Sequence, residues 1–574
     1  MDHFLPTTKK EVEALGWEWL DVILISGDAY VDHPSFGPAV IGRWLERLGL
    51  RVAIVPQPNW QDDGRDFAKL GRPRLFFAVS AGNMDSMVNH YTATKRLRHD
   101  DAYTPGGRHG FRPDYATVVY TRWLKQLFPD TPVVIGGIEA SLRRLSHYDY
   151  WSDTLRPSIL LSCPADVLVY GMGERPMSDL VRIFQTDNWR DHLSECSQIA
   201  FITNNLEDYC KKEDALMLHP YEKELSNKRF YGENFVAFET ESNKMFPRTM
   251  VQPYNKKYLV VLPPYPPATE EEMDSFALYD RMMNAPHPKY AKRGDIPAWE
   301  MIKNSITIHR GCFGGCSFCA ITAHQGRFVS SRSEASILAE VSDLARRPYF
   351  KGHISDLGAP SANMYRMRGR NEKACRQCSR ASCIYPEICK NLDINHKPLI
   401  SLYQAAGAVK AVRQITIGSG IRYDLLLGDE ATDRANGLSA YFEEVVRHHV
   451  SGRLKVAPEH TETKVLKRMR KPGFDRFLAF NRKFQQFNRA AGLRQQLVPY
   501  FISAHPGCTL DDMRALHRAT QGQHLHIEQV QDFTPTPMTY STTMYYLGYD
   551  PYTGEKVFSA KSKGEKDKQK GMFF

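Results

Sequence analysis

The sequence predicts an α/β protein with two successive domains: a doubly wound parallel sheet, then a partial (β/α)6 barrel of the TIM kind. Three observations predict it. Short runs that are apolar throughout recur in two series, as strands buried on both faces require. Stretches with apolar residues at helical spacing separate those runs. A proline-rich break divides the series, and 574 residues are too many for one ordinary domain of roughly 150.

In the first series DVILIS (21–26), RVAIVPQ (51–57), LFFAVSAG (75–82), PVVIGG (132–137) and ADVLVYGMGE (165–174) are the strand candidates. Val40, Ile41, Trp44, Leu45 and Leu48 mark a helix after the first, and PDYATVVYTRWLKQLF another before the fourth. This domain is expected over residues 1–200. Residues 201–298 read as a connector without a compact fold, crowded with prolines in VLPPYPPATEEEM and NAPHPKYAKRGDIPAW. Thr269 and Glu272 fit a capping box within it. The barrel is expected over 299–545, with a cysteine-rich insertion at 371–397. Its strand candidates are SITIH (305–309), GHISDLG (352–358), RQITIGSG (413–420), RLKVAPE (453–459), QLVPYFISA (496–504) and HIEQVQDF (526–533). Ser333 can cap a helix carrying Ile337, Leu338, Val341 and Leu344. Val465, Leu466 and Met469 form one helical face, and Phe477, Phe480, Phe484 and Phe487 another. Residues 546–574 end in KSKGEKDKQKGMFF, a polar lysine-rich run expected to be a solvated, disordered tail.

A hydrophobic content of 42% with 24% charged residues is that of a soluble globular protein. The 75 Lys and Arg against 65 Asp and Glu leave a mild basic balance, +10, which permits a nucleic-acid partner without specifying one. No apolar run is long enough to span a membrane, and MDHFLPTTKKEVEALGW has no secretory core, so the expected address is the cytoplasm. Thiols stay reduced there. Seven of the 11 cysteines lie from Cys312 to Cys389, and such clustering points to metal rather than to a disulfide framework. The scattered Cys163, Cys196, Cys210 and Cys508 read as buried free thiols.

Cys312, Cys316 and Cys319 follow C-x3-C-x2-C in HRGCFGGCSFCAITAHQGR, just after the first barrel strand. Three thiolates on one short loop can hold three irons of a 4Fe-4S cube and leave the fourth without a protein ligand. Gly311, Gly314 and Gly315 let such a loop wrap the cube closely. The same residues also read as core cysteines or as three zinc ligands, although zinc loops favour C-x2-C pairs. Cys375, Cys378, Cys383 and Cys389 follow C-x2-C-x4-C-x5-C, with His396 nearby. Four clustered thiols indicate a second metal, zinc or another iron–sulfur cluster, and spacing does not separate the two.

With Phe318 in place, the first loop reads C-x3-C-x-aromatic-C, the signature of radical S-adenosylmethionine enzymes. ISGDAYVDHPSFG (25–37), GGIEASLRRLSHYDYWSD (136–153), YGMGERP (170–176), CAITAHQGRFVSSRS (319–333) and QDFTPTPMTYSTTMYY (531–546) resemble the YgiQ family of radical S-adenosylmethionine proteins. The resemblance covers nearly the whole chain, and members often run on past the lysine-rich stretch. It implies a 4Fe-4S cluster whose open iron takes S-adenosylmethionine. It also implies reductive cleavage to a 5′-deoxyadenosyl radical acting on an unknown substrate, and a donor such as flavodoxin or ferredoxin. By the same resemblance Gly358 and Ala359 would meet the methionine amino group, Arg422 its carboxylate, and Ser419 and Glu459 the ribose. His505 and Gln531 end later strands and are weaker candidates to face substrate. The N-terminal domain resembles cobalamin-binding domains. Sites with a lower histidine ligand carry Asp-x-His-x-x-Gly, whereas here Asp32 and His33 are adjacent and Gly37 lies four on. Cobalamin is therefore disfavoured but open. The residues support one reading of another class, a zinc-stabilised nucleic-acid-binding protein without redox chemistry.

Overall fold

Five apolar runs become the parallel core of one large sheet: β1 (Val22–Ser26), β2 (Val52–Pro56), β3 (Phe76–Ser80), β4 (Val133–Gly136) and β5 (Val167–Val169). Adjacent pairs run parallel in the order β2-β1-β3-β4-β5, so the winding direction reverses beside β1. Nearly every residue of these strands is buried, which is why they read as unbroken apolar runs. They belong to the first of two units in the computed structural model, which describes residues 3–523, 525 and 527–573. Unit 1 comprises Met1–Ser242, Phe246–Pro266 and Ser275–Lys303; unit 2 comprises Asn243–Met245, Pro267–Asp274 and Asn304–Phe574.

Most of the expected connector is part of unit 1. Four strands extend the sheet, β6 (Ile199–Thr203), β7 (Leu216–Met217), β8 (Met250–Tyr254) and β9 (Lys257–Val261), in the order β7-β8-β9-β6 beside β5. The β5–β6, β6–β9 and β8–β9 pairs are antiparallel, so the sheet is mixed and not parallel throughout. Pro253 disguised β8, since proline lacks the N–H that a ladder needs. Here β7 pairs only with Met250 and Val251, so Pro253 lies past the end of that ladder. The Thr269–Glu272 capping box is present: Glu272 Oε2 accepts from Thr269 N–H at 2.8 Å, and Thr269 Oγ1 from Glu272 N–H at 3.2 Å.

Unit 2 keeps all six strand runs of the second series, with trimmed ends. They are β10 (Ser305–Thr307), β11 (His353–Ile354) with β12 (Asp356–Gly358), β13 (Gln414–Ile415), β14 (Arg453–Glu459), β15 (Gln496–Ser503) and β16 (Gln529–Asp532). His526, at the edge of the last run, lies outside the described residues. A break at Ser355 splits the second run, so β12 pairs with β10 on one side and β11 with β13 on the other. β14, β15 and β16 form a second parallel set. Helices Glu334–Ala345, Lys397–Gly407, Leu438–Glu444, Phe474–Ala490 and Leu510–Gly522 follow the strands in turn. Ser333 caps the first of these by accepting from Ser336 N–H. Phe477, Phe480 and Phe484 face inward, and Phe480 stacks on Phe442 at 4.5 Å between centroids. Each such ring stabilises the fold by roughly 1.5–3 kcal/mol through burial.

The lysine-rich end is not a disordered tail. Ser562 opens a capped helix, Lys563–Lys570, that packs beside β15 and β16. Gln569 is 2% exposed; its Oε1 accepts from Ala504 N–H at 2.7 Å and its Nε2 donates to Cys508 O at 3.0 Å. Lys566 and Gln569, three apart, make an inward face that composition alone hides. Among the described residues no helix is long and apolar enough to cross a membrane.

Candidate metal centre

His309–Arg310 pairs antiparallel with Ser330–Ser331, which pins the base of the cysteine loop directly after β10. Inside the loop Gly314 N–H donates to Cys312 Sγ at 3.4 Å, and Arg422 Nη1 donates to Cys316 Sγ at 3.3 Å. Ser361 Oγ lies 3.7 Å from Cys312 Sγ. Burial, with the neighbouring Cys316, raises the Cys312 thiol above its ordinary range. Burial, Cys316 and Cys312 push Cys319 to about 12. Both are thiols at neutral pH, so a metal that binds them displaces protons. Gly315 sits at φ +63, and a Cβ there would collide with Ala381 O.

Arg422 is held from three sides. Its Nε and Nη2 donate to Asp424 at 2.9 and 2.6 Å, and Asn363 bonds both its N–H and its C=O, at 2.8 and 3.0 Å. Burial opposes the charge, but Asp424 and Cys316 outweigh it and raise the Arg422 pKa. The guanidinium is thus committed to Asp424 and a cysteine sulfur, a partner the carboxylate assignment did not foresee.

Gly358 and Ala359 lie at the C-terminal end of β12. Ser419 is beside them, but its hydroxyl is taken: Asp356 Oδ1 accepts from Gly418 N–H, Ser419 N–H and Ser419 Oγ at 2.9, 3.1 and 3.0 Å. A Cβ on Gly358 would collide with Ser419 Oγ, so glycine is what lets this turn close on the strand. Glu459 ends β14 at φ +69, is 7% exposed, and meets Lys471 Nζ at 3.5 Å. Burial raises its pKa, against the pull of Lys471 and Arg422. Phe318 meets the His505 ring edge-on at 6.1 Å. His505 is fully buried and braces the loop from behind. Its Nδ1 donates to Pro506 O at 2.9 Å, so its Nε2 accepts from Ser541 Oγ at 2.7 Å. Ser317 Oγ then donates to Ser541 Oγ at 2.7 Å. Burial lowers the His505 pKa to about 3. Gln531 is exposed.

The second cysteine set lies against the first loop. Cys383 N–H donates to Phe313 O at 3.1 Å, and Ser382 Oγ to Gly314 O at 2.8 Å. Ala381 O faces Gly315, so residues 381–383 and 313–315 are in backbone contact. Arg327 Nη2 donates to Cys378 Sγ at 3.7 Å and to Cys383 Sγ at 3.5 Å, and Asn391 Nδ2 to Cys375 Sγ at 3.2 Å. Burial raises the Cys375 and Cys383 thiols, whereas for Cys378 burial is outweighed by the Arg380 N–H and Arg327, which lower it. The four thiols also feel one another, as Cys375 does Cys383, Cys378 and Cys389. His396 does not join them. It is fully buried, with Nδ1 donating to Ile394 O at 2.8 Å and Nε2 accepting from Asn363. Among the described residues no three His, Cys, Asp or Glu side chains are already drawn together as a metal site. The donor chemistry of the first loop still fits an iron–sulfur cluster: three soft sulfurs, with an N–H donor and a guanidinium aimed at them. Cys163, Cys196 and Cys508 are buried free thiols, and Cys210 is half-buried. Sequence reasoning missed Asp356, Asp424, Lys471 and Arg327; the first stands inside the GHISDLG run and the second two residues after Arg422.

In unit 1, Asp32 is bound by the buried Arg43 through Nε at 3.1 Å and Nη2 at 2.6 Å, and His33 Nδ1 accepts from Ser35 N–H at 3.1 Å. Past the strand ends Arg112 pairs with Asp28 and Asp101 at 2.8 and 3.2 Å, Arg143 pairs with Asp85, and Glu139 accepts from Ser86.

The family described as Radical SAM N-terminal matches residues 4–305, more than half of the chain, and makes this a protein of the radical S-adenosylmethionine type. The chain belongs to the UPF0313 family, of which YgiQ is a member. It is 54% identical to a UPF0313 protein of Bacteroides thetaiotaomicron over 589 residues, covering 100% of this chain and 94% of that protein. It is 43% identical to YgiQ of Escherichia coli K12, covering 99% of this chain and 83% of that protein. Among solved structures it is similar to the radical S-adenosylmethionine methyltransferase TsrM of Kitasatospora setae, with a TM-score of 0.49 and 13% identity over 91% of this chain and 74% of that one. The cobalamin-dependent enzyme OxsB gives a TM-score of 0.49 and 12% identity over 94% of this chain and 57% of that one.

Proposed function

We propose that the chain is a radical S-adenosylmethionine enzyme that binds a 4Fe-4S cluster through Cys312, Cys316 and Cys319. The observation that carries this reading is the C-x3-C-x2-C loop itself, pinned after β10 with Arg422 on Cys316. When bound, the cluster would supply the electron that cleaves S-adenosylmethionine to methionine and a 5′-deoxyadenosyl radical. In this reading β10 to β16 form an open (β/α)6 arc, with S-adenosylmethionine at its strand ends.

The chain's own residues take the remaining tasks. Asp356 fixes the Gly418–Ser419 turn. Gly358 O accepts from Ile308 N–H at 3.0 Å, so the next backbone group, at Ala359, is the one that would meet the methionine amino group. Glu459, buried beside Lys471, would accept from the ribose hydroxyls. Arg422 keeps a positive charge at the cysteine loop, and Phe318 covers the loop against His505. A flavodoxin- or ferredoxin-type protein would deliver the electron. Cobalamin enters only through a measurement of cobalt content. Asp32 and His33 are engaged elsewhere, so a corrinoid would bind without a histidine from that segment.

The test is protein prepared without oxygen and reduced with dithionite in the presence of S-adenosylmethionine. About four irons at the first site, a paramagnetic signal on reduction, and release of 5′-deoxyadenosine are expected. Protein that takes up only zinc and releases no 5′-deoxyadenosine would sink the reading. The nucleic-acid alternative predicts the opposite outcome, zinc without 5′-deoxyadenosine; the lysine-rich segment buries Lys566 and Gln569 and leaves Lys561, Lys563 and Lys568 exposed.

A further inference from the structure

We propose that Cys375, Cys378, Cys383 and Cys389 hold a second metal centre through four thiolates, and that this centre braces the first cysteine loop. The ligand is a thiolate-seeking metal, either one zinc ion or an iron–sulfur cluster. Four sulfurs on one short segment close either centre without an open position.

Arg327 is the strongest observation. It is 4% exposed, and among the described residues no carboxylate pairs with it. A buried guanidinium without a counter-charge is costly. Its hydrogen-bond partners are two cysteine sulfurs, at 3.7 and 3.5 Å through Nη2, and two carbonyls, of Asn243 and Arg380, through Nη1. A four-thiolate centre, with net negative charge, is the counter-charge this arginine lacks. Two more N–H groups point at sulfurs of the same set: Arg380 N–H at Cys378, 3.5 Å, and Asn391 Nδ2 at Cys375, 3.2 Å. Donors to sulfur orient metal-bound thiolates and tune their affinity.

Bracing follows from the chain path. Cys383 is itself bonded to the first loop, N–H to Phe313 O at 3.1 Å, and its neighbour Ser382 reaches Gly314 O. A metal that fixes Cys383 therefore fixes the backbone that carries Cys312 and Cys316.

The experiment is zinc, iron and sulfide analysis of protein prepared without oxygen. It compares wild type, a Cys312→Ala/Cys316→Ala/Cys319→Ala variant and a Cys375→Ala/Cys378→Ala variant. The triple variant is expected to keep about one zinc, or about two to four irons with matching sulfide, per chain. The double variant is expected to lose that complement. Which metal persists tells zinc from iron–sulfur, and the triple variant lacks the first site, so failure of the function proposed above is read separately. A metal-free triple variant, or a double variant with the wild-type complement, overturns the proposal. Should the double variant be insoluble, alkylation of wild-type thiols decides. The four cysteines should resist labelling until a chelator is added, and immediate labelling in metal-replete protein overturns the site. Arg327→Met should retain the metal about 10–100-fold less tightly.

Discussion

The two cysteine loops of unit 2 touch, yet they are built to opposite specifications. The first follows β10, its Cys312 and Cys319 thiols are raised by burial, and its cation, Arg422, is already paired with Asp424. The second lies on a largely exposed segment, burial raises its Cys375 and Cys383 thiols while Cys378 is lowered, and its cation, Arg327, donates only to sulfurs and carbonyls among the described residues. The difference teaches what each is suited to. Three sulfurs in a sequestered loop suit a centre that keeps one corner for a ligand. Four sulfurs on one segment, two of them bonded to an arginine without a carboxylate, suit a closed one.

The largest effects are expected from changes to the first loop. Cys316→Ala should reduce 5′-deoxyadenosine release to background while the metal of the second loop stays bound, measured by product chromatography beside metal analysis. Arg422→Met should weaken iron retention at the first loop by about 10–100-fold. Zinc or iron at the second should not change, and equal losses at both would show that the loops are not independent in this respect.

Asp356→Ala strands the Gly418 and Ser419 N–H groups. It should cost about 0.5–1.5 kcal/mol of stability and raise the KM for S-adenosylmethionine more than it lowers turnover. Acid should destabilise the surroundings of the first loop. His505 and His309 are buried and neutral, with burial lowering their pKa values from 6.5 to about 3 and about 4. Below pH 6.5 the unfolded chain binds protons that the folded chain refuses, so this stability is complete above 6.5 and falls toward the folded values. The melting temperature of the protein should therefore drop between about pH 7 and 5, and less steeply in His505→Gln. The smallest effect is Gln569→Ala, which leaves Ala504 N–H without its acceptor and should cost about 1 kcal/mol, read by denaturant titration.

Much of the fold was legible in the chain. Strands buried on both faces announce themselves as apolar runs, and all eleven such runs of the two series became strands at or inside their expected limits. The 201–298 stretch was not legible, because two of its strands, β8 and β9, pair antiparallel across a tight turn at Asn255 and the first of them contains Pro253. The lysine-rich end misled for a related reason: two polar residues, Lys566 and Gln569, make its buried face. At the candidate site the cysteines were legible because metal ligation fixes their spacing. Their partners were not. Asp356 meets Ser419, and Lys471 meets Glu459, only after segments apart in sequence come together.

Glu459 occupies a left-handed backbone region that a glycine would enter without strain, at φ +69. For a residue with a side chain that conformation costs roughly 1–2 kcal/mol, and the burial of a carboxylate adds to it. A population of variants selected only for heat tolerance should therefore drift to glycine at this position. One selected for radical chemistry should keep the acid, and the divergence of the two lineages would mark where the protein trades durability for work.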